Sequence, residues 1–556
     1  MALLFAVSIV SAACGSDDDP TPPADGNLSN EEKRVGALVT TDTVAAHLKW
    51  LSDDAREGRG PGSQGDEATR RYLAEEFTKL GLSPGGEGGT FLQNVPLVGI
   101  RAEVSSPIVF SSQKAAGTTL SLDAPNDMVI TSGVQDPEVK ISAAEVVFVG
   151  YGMVAPEYQW DDYKDVDVTG KIVMVMNNDP STDDALFGGK TRLLYGRWDY
   201  KYEQAARKGA KGAIIIHTDV SAAYPWQVVV TSNHAVENFQ LPPSPQDRRI
   251  QARMWATEEA SRKIAALGGE DLDALRQAAE KRDFRPRPLG VTVNVGIRNT
   301  LRNMQTANVA AVLPGSDPEL GREAVIFTAH HDHLGIGAPK NGDSIYNGAV
   351  DNAAGVAQIL AIARASTQIT PKPRRSFVFM LVGGEEKGLL GSTWYCQHPS
   401  FAPGRIAANI NTDLANVFGR THDVGYIGLG KSSLDEVVRT VARAQGRVLH
   451  GDANPDRGMF YRSDQFAFAK VGVPGMYIKG GPDFVDRPAG WGQEQTDLYE
   501  STRYHQPSDE YDPNWDLRGA VEDAQLMLTV GWRVANTTAL PTWNTGDEFA
   551  SIPRPR

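Results

Sequence analysis

Six residues in the C-terminal half of this 556-residue chain carry side chains that bind metal ions or move protons. They are His330 in TAHHDH, Asp351 in GAVDN, the adjacent Glu385 and Glu386 in GGEEKG, Asp413 in NTDLAN and His505 in YHQPSDEYD. Imidazole and carboxylate are the usual protein donors to zinc and related divalent ions. Two His and three carboxylates would hold two such ions, leaving one Glu free for proton transfer. Convergence of these groups would make a metal-dependent hydrolytic site. Each also has a plainer reading on its own. Asp351 could be a helix N-cap, Glu385 and Glu386 could complement a helix N-terminus, Asp413 could be a turn residue, and His330 and His505 could be structural.

The elements that must position them favour convergence. AVIFTA (324–329), SFVFMLV (376–382) and IAANINTD (406–413) read as buried strands, and VPGMYI (473–478) as another. NAAGVAQILAIARA, SSLDEVVRTVARAQG and RGAVEDAQLMLTVGWRVAN read as helices, and a further helix opens near Glu385. This alternation predicts an α/β fold, a mixed and mostly parallel sheet sandwiched by helices. His330, the Glu385–Glu386 pair and Asp413 then sit at or just past three strand ends, where open α/β sheets form their sites. Asp351 starts a helix and His505 lies in a loop, and either can reach that edge.

Further upstream the texture differs. VAAHLKWLS reads as helical, and the loop EGRGPGSQGD leads into a helix with Tyr72, Leu73, Phe77 and Leu80 on one face. From about Val104, short strands such as EVVFVGYG and KIVMVM, with helices such as DYKYEQAARKGA, describe a separate α+β unit. The expected division is 31–105 and 296–540 for the main domain, 106–295 for the insertion and 541–556 for a C-terminal tail. The apolar MALLFAVSIVSAAC reads as a signal peptide, residues 1–14, followed by a flexible tether over 15–30. Cys14 after Ser11-Ala12-Ala13 resembles the lipidation site of a bacterial lipoprotein, although Ser11 and the lack of preceding Lys or Arg depart from that pattern. The expectation is an exported protein of the cell envelope, lipid-anchored to a bacterial membrane, with a secreted or periplasmic protein as the alternative. The formal net charge of -14 argues against a nucleic-acid-binding role, since nothing here neutralises phosphates. The only other cysteine, Cys396, leaves no disulfide framework once Cys14 is lipidated.

The motifs together resemble the M28 family of co-catalytic metallopeptidases over about residues 40–535: TAHHDHLG, NGAVDNAAGVA, GGEEKGLLGS, NTDL, YRSDQFAF and YHQPSDEYD. The block with FVGYG, APEYQWDDY, DVTGKIVMV and AARKGAKGAIII resembles a protease-associated (PA) domain. The resemblance implies two Zn2+ ions, one on His330 and Asp413, the other on Glu386 and His505, with Asp351 shared. It implies Glu385 as general base, Asp332 orienting the His330 ring, Tyr504 hydrogen-bonding the developing oxyanion and Arg462 contacting peptide substrate. Gln465 stands where a His is frequent in the family, and His331 and His333 read as structural. The leading expectation is an exported aminopeptidase. The alternatives are a carboxypeptidase or dipeptidase of the same superfamily, or a non-catalytic receptor-like protein. The last predicts lost ligands, and none is lost here; a glutaminyl cyclase, expected to use one zinc, fits less well.

Overall fold

The alternating last third forms a mixed sheet with helices on both faces in the computed structural model, which describes residues 28–556 except 181, 182, 184, 185, 223, 245 and 246. The expected signal peptide, its Cys14 and the tether up to residue 27 lie outside the described residues. The strands that matter here are β1 (Leu92–Val104), β2 (Arg287–Leu313), β3 (Ala324–His330), β4 (Ser376–Val382), β5 (Ile406–Thr412), β6 (Asp423–Ile427) and β7 (Gly475–Gly480). They lie in the order β2–β4–β3–β5–β7–β6. The central four run parallel, and β2 and β6 run antiparallel to their neighbours. Every residue of β3, β4 and β5 is buried. That is why these strands read as continuous apolar runs without alternation.

Alternate residues of β3 face two different cores. Val325, Phe327 and Ala329 belong to one core with side chains of the helices α1 (Thr41–Leu51), α2 (Gln64–Lys79), α3 (Ala354–Thr367), α4 (Leu434–Ala444) and α5 (Arg518–Asn536). Ala324 and Ile326 face a smaller cluster with Val378, Met380, Tyr395 and Phe468. Leu73 and Phe77 of α2 are fully buried, as the apolar face of that helix anticipates. The helix expected near Glu385 is a single 3-10 turn, Glu385–Lys387, and the α-helix begins only at Leu390. The tether expected to run to residue 30 gives way at Ser29. There a reciprocal capping pair with Glu32 opens a short helix, Asn30–Gly36. Glu32 also pairs with Arg533 at 2.5 Å, which ties that first turn to α5.

Residues 108–297 build a second core. Parallel strands Ile172–Met176, Gly212–His217 and Ala252–Thr257 present one face to Phe110, Phe148, Val293 and the helix Glu258–Leu267. The other face meets Tyr202 and Ala205 of the helix Trp198–Arg207. The sequence suggests breaks near residues 105 and 295, yet the backbone there is a continuous antiparallel ribbon. β1 and β2 pair from Val104 with Ile297 to Leu92 with Val309. β2 then continues into pairing with β4. Residues 541–556 also pack. Phe549 is fully buried, and the Trp543 indole N–H donates to the Gly472 carbonyl at 2.9 Å. Among the described residues no helix is long and apolar enough to cross a membrane.

The close seating of α5 on the sheet depends on Gly531. A Cβ at that position would come 2.4 Å from the tip of the Phe327 ring. Phe327 cannot turn aside, because Phe377 and Phe379 flank it with ring centroids 5.2 and 5.7 Å away. Gly531→Ala gains about 1 kcal/mol of helix propensity but meets an overpacking cost of about 1–3 kcal/mol. The expected outcome is a lower midpoint of thermal unfolding, measured by calorimetry on the whole chain.

Candidate metal centre

The carboxyl ends of β3, β4 and β5 deliver the first ligands directly. His330 is the last residue of β3, Asp413 follows the last residue of β5, and Glu385 and Glu386 lie three and four residues past β4. Asp351 comes from the turn Ala349–Ala353 that precedes α3, not from the helix itself. The chain reaches that turn through Gly348, whose φ is 57°. A Cβ at Gly348 would stand 2.5 Å from the His333 ring, so only glycine fits there. His505 arrives from the loop after the helix Trp491–Thr502.

All six residues meet. His330 Nε2 lies 3.3 Å from Asp351 Oδ1 and 3.3 Å from Asp413 Oδ1. His505 Nε2 lies 3.3 Å from Asp351 Oδ2 and 3.3 Å from Glu386 Oε2. The two oxygens of one carboxylate are thus divided between two His-carboxylate sets. Donors held at zinc bond lengths by one tetrahedral ion stand roughly 3.3 Å apart. The residues present therefore fit two such ions sharing Asp351. Glu385 is close as well, since donor atoms of His330, Glu385 and Asp413 all lie within 4.8 Å of one another. His330 is fully buried, whereas the His505 side chain is 37% exposed, so the second set faces the solvent side.

This arrangement concentrates negative charge. Burial and the Glu386 and Asp413 carboxylates hold Glu385 well above the usual carboxylate range, despite the opposing pull of His330. Burial pushes Asp351 up too, but hydrogen bonds from the His330 and His505 rings outweigh it and hold it well below that range. Burial pulls the His330 ring down, and Glu385, Asp413 and Asp351 together push it well above its ordinary value. The site is built for positive charge at these positions.

Three side chains brace the ligands that sequence reasoning did not single out in this role. Arg59, fully buried, donates to the carbonyls of Leu51, His331, Asn347 and Gly348 at 2.6–2.9 Å. It therefore ties the His330 strand end to the turn that carries Asp351. Burial pulls Arg59 down to about 10, against the carboxylates of Asp332, Asp509, Asp351 and Glu386, so it remains charged at neutral pH. Asp509 accepts from the N–H groups of Val350 and Asp351 at 3.1–3.2 Å and from the Tyr499 hydroxyl at 3.2 Å. His333, read as structural, places Nδ1 2.6 Å from Glu386 Oε1 and is in direct contact with a candidate ligand. His331 does play a structural part, with Nε2 3.0 Å from the Ala307 carbonyl. The signals were faint: an Arg between glycines in EGRG, and an Asp and a His close to better candidates.

Asp332 reaches the His330 ring through its carbonyl, 3.2 Å from Nδ1. Its carboxylate instead accepts from the N–H groups of Glu385 and Glu386 at 3.1 and 3.4 Å, bracing the double-Glu turn. Tyr504 stacks on His505 with ring centroids 4.0 Å apart. Burial, then Asp351 and Glu386, hold its phenol well above the ordinary value, so it stays protonated and can donate. A cleft opens over Asp351, Glu385 and Glu386, walled by Met459, Arg462 and Tyr504. Gln465 is buried away from this cleft, donating to the Phe460 carbonyl and accepting from Asn411.

Replacing Arg59 by Met leaves four buried carbonyls without their donor. The expected loss is about 3 kcal/mol or more of stability, together with a roughly 10–100-fold weaker affinity for divalent metal. Urea unfolding and a competition titration against a chromophoric chelator measure the two effects separately.

Residues 308–529 match the model of Peptidase family M28. The chain is 33% identical over 134 residues to the mouse Aminopeptidase NAALADL1, covering 23% of this chain and 16% of that protein. It is 27% identical over 241 residues to a probable zinc metalloprotease of Pyricularia oryzae, covering 40% of this chain and 45% of that one. The matches thus span less than half the length of these curated relatives. Among solved structures, an aminopeptidase from Aneurinibacillus sp. strain AM-1 superposes with a TM-score of 0.49 at 18% identity, covering 92% of this chain and 97% of that one. The matched segment, residues 308–529, is similar to Peptidase family M28 and contains all six of the converging residues.

Proposed function

We propose that this protein is a dinuclear zinc exopeptidase, an aminopeptidase releasing N-terminal residues from peptides. The observation that carries the reading is the division of the Asp351 carboxylate between the His330–Asp413 and His505–Glu386 sets. Two Zn2+ ions bound there would polarise the scissile carbonyl and lower the pKa of water at the site. Glu385, held high by burial and its acidic neighbours, accepts a proton from the attacking water and returns it to the leaving amine. Tyr504 donates from its protonated phenol to the oxygen on which charge develops. Asp332 keeps the double-Glu turn in register with the His330 strand end.

The inserted unit supports a preference for chain ends. We read it as a PA-like domain that flanks the cleft on two sides. Phe239 lies under Lys387, 5.9 Å from ring centroid to Nζ, just past the double-Glu turn. On the other side the Arg192 N–H donates to the Pro455 carbonyl at 3.0 Å. Cys14 as a lipid attachment point, with export to the cell envelope, remains part of this reading. The carboxypeptidase alternative draws support from Arg462, an exposed cation on the cleft wall whose guanidinium lies 3.9 Å from the Met459 sulfur.

Two measurements test the proposal. Glu385→Ala is expected to retain about two zinc equivalents by atomic emission while kcat falls about 10²–10⁴-fold. Wild-type turnover in that variant removes Glu385 from the mechanism. A peptide panel is expected to show cleavage when the C-terminus is amidated and none when the N-terminus is acetylated, with activity abolished by chelation and restored by zinc. The reverse pattern would establish the carboxypeptidase.

A further inference from the structure

The C-terminal segment brings one carboxylate into a junction that neither the metal centre nor its ligands use. The side chain of Glu548 is 1% exposed. Its Oε1 accepts from the Tyr461 hydroxyl at 2.5 Å and from Lys431 Nζ at 2.8 Å. Its Oε2 accepts from the Leu194 N–H at 2.9 Å. These donors come from three different places. Leu194 belongs to the inserted unit. Lys431 precedes α4 and also pairs with Asp547 at 2.8 Å. Tyr461 lies between Met459 and Arg462, both of which wall the catalytic cleft.

The surroundings make this tie specific. Tyr461, Phe460 and Phe549 pack in one aromatic cluster, against which Leu194 also rests. Next to Leu194, Arg192 lays its side chain over Gly458, with Cδ 3.2 Å from where a Cβ would stand. The inserted unit therefore touches the cleft wall on both sides of Met459. Beside this contact an open depression lies among Tyr158, Leu193, Lys431 and Gly546. At its edge the Glu548 carboxylate joins the two sides, accepting from Leu194 on one and from Lys431 and Tyr461 on the other.

We propose that Glu548 is a positioning residue, which fixes the Leu193–Tyr195 turn of the inserted unit against the Met459–Arg462 wall and so sets how tightly a peptide is held. The inference rests on the exopeptidase reading of the cleft. The metal ligands and Glu385 stand on other elements, so loss of the tie acts on substrate binding and leaves the chemical step in place. With the zinc-loaded full chain and peptides of two to six residues, Glu548→Gln is expected to raise KM about tenfold for the longer peptides, the size of one lost charge-assisted hydrogen bond. kcat is expected to stay within about threefold of wild type. Tyr461→Phe removes a single bond and is expected to shift KM in the same direction by a smaller factor; it is the variant to use if Glu548→Gln does not fold. Hydrogen–deuterium exchange over residues 192–197 is expected to accelerate about tenfold in Glu548→Gln, since the Leu194 amide loses its charged acceptor. Unchanged exchange together with unchanged KM overturns the proposal, as does a fall in kcat at constant KM. A wild-type protein without peptidase activity refutes the exopeptidase reading instead, while the exchange measurement still tests the tie.

Discussion

Crowding of negative charge at one edge of one sheet is the constraint on which the rest of this structure depends. Asp351, Glu386, Asp413 and Glu385 lie within a few ångströms of two imidazoles, with Asp332 and Asp509 just behind them. Like charges at such distances cannot all remain ionised without compensation. Here compensation comes from the protein itself and from the cations the donor set fits. Arg59 contributes a fixed positive charge, and backbone N–H groups of Val350, Asp351, Glu385 and Glu386 point at the supporting carboxylates. The ends of three adjacent parallel strands, buried on both faces, anchor His330, Asp413 and the double-Glu turn, and the braced turn Ala349–Ala353 and the His505 loop supply the rest.

The supporting residues draw on chain outside the matched family segment. Arg59 comes from the loop before α2, nearly three hundred residues ahead of the carbonyls it binds. The same guanidinium reaches Leu51 at the end of α1. The N-terminal helices thus serve as a bracket for the Asp351 turn as well as part of the hydrophobic core. From the opposite side, Asp509 brings the His505 loop to bear on the same turn.

Much of this was legible in the residues. β4 and α5 have the boundaries their apolar patterns suggest, because a strand buried on both faces and a long amphipathic helix each leave an unambiguous run. The six converging side chains were legible because their placement after strands leaves few other uses for them. The braces were not. Arg59 resembles any loop arginine until its four carbonyl partners are known, and no local pattern announces contacts between residues so far apart. The ribbon of β1 and β2 was hidden for a different reason. Its middle, NTLRNMQT, is polar and partly exposed, and carries no strand signal apart from its pairing with β1.

That ribbon has a mechanical meaning. The inserted unit is joined to the main sheet by two hydrogen-bonded strands that pass from one into the other without a break. A glycine-rich linker would let the unit swing freely between discrete orientations. A two-stranded ribbon is instead held by paired backbone hydrogen bonds along its whole length. The orientation of this unit relative to the sheet is therefore written into the register of β1 against β2.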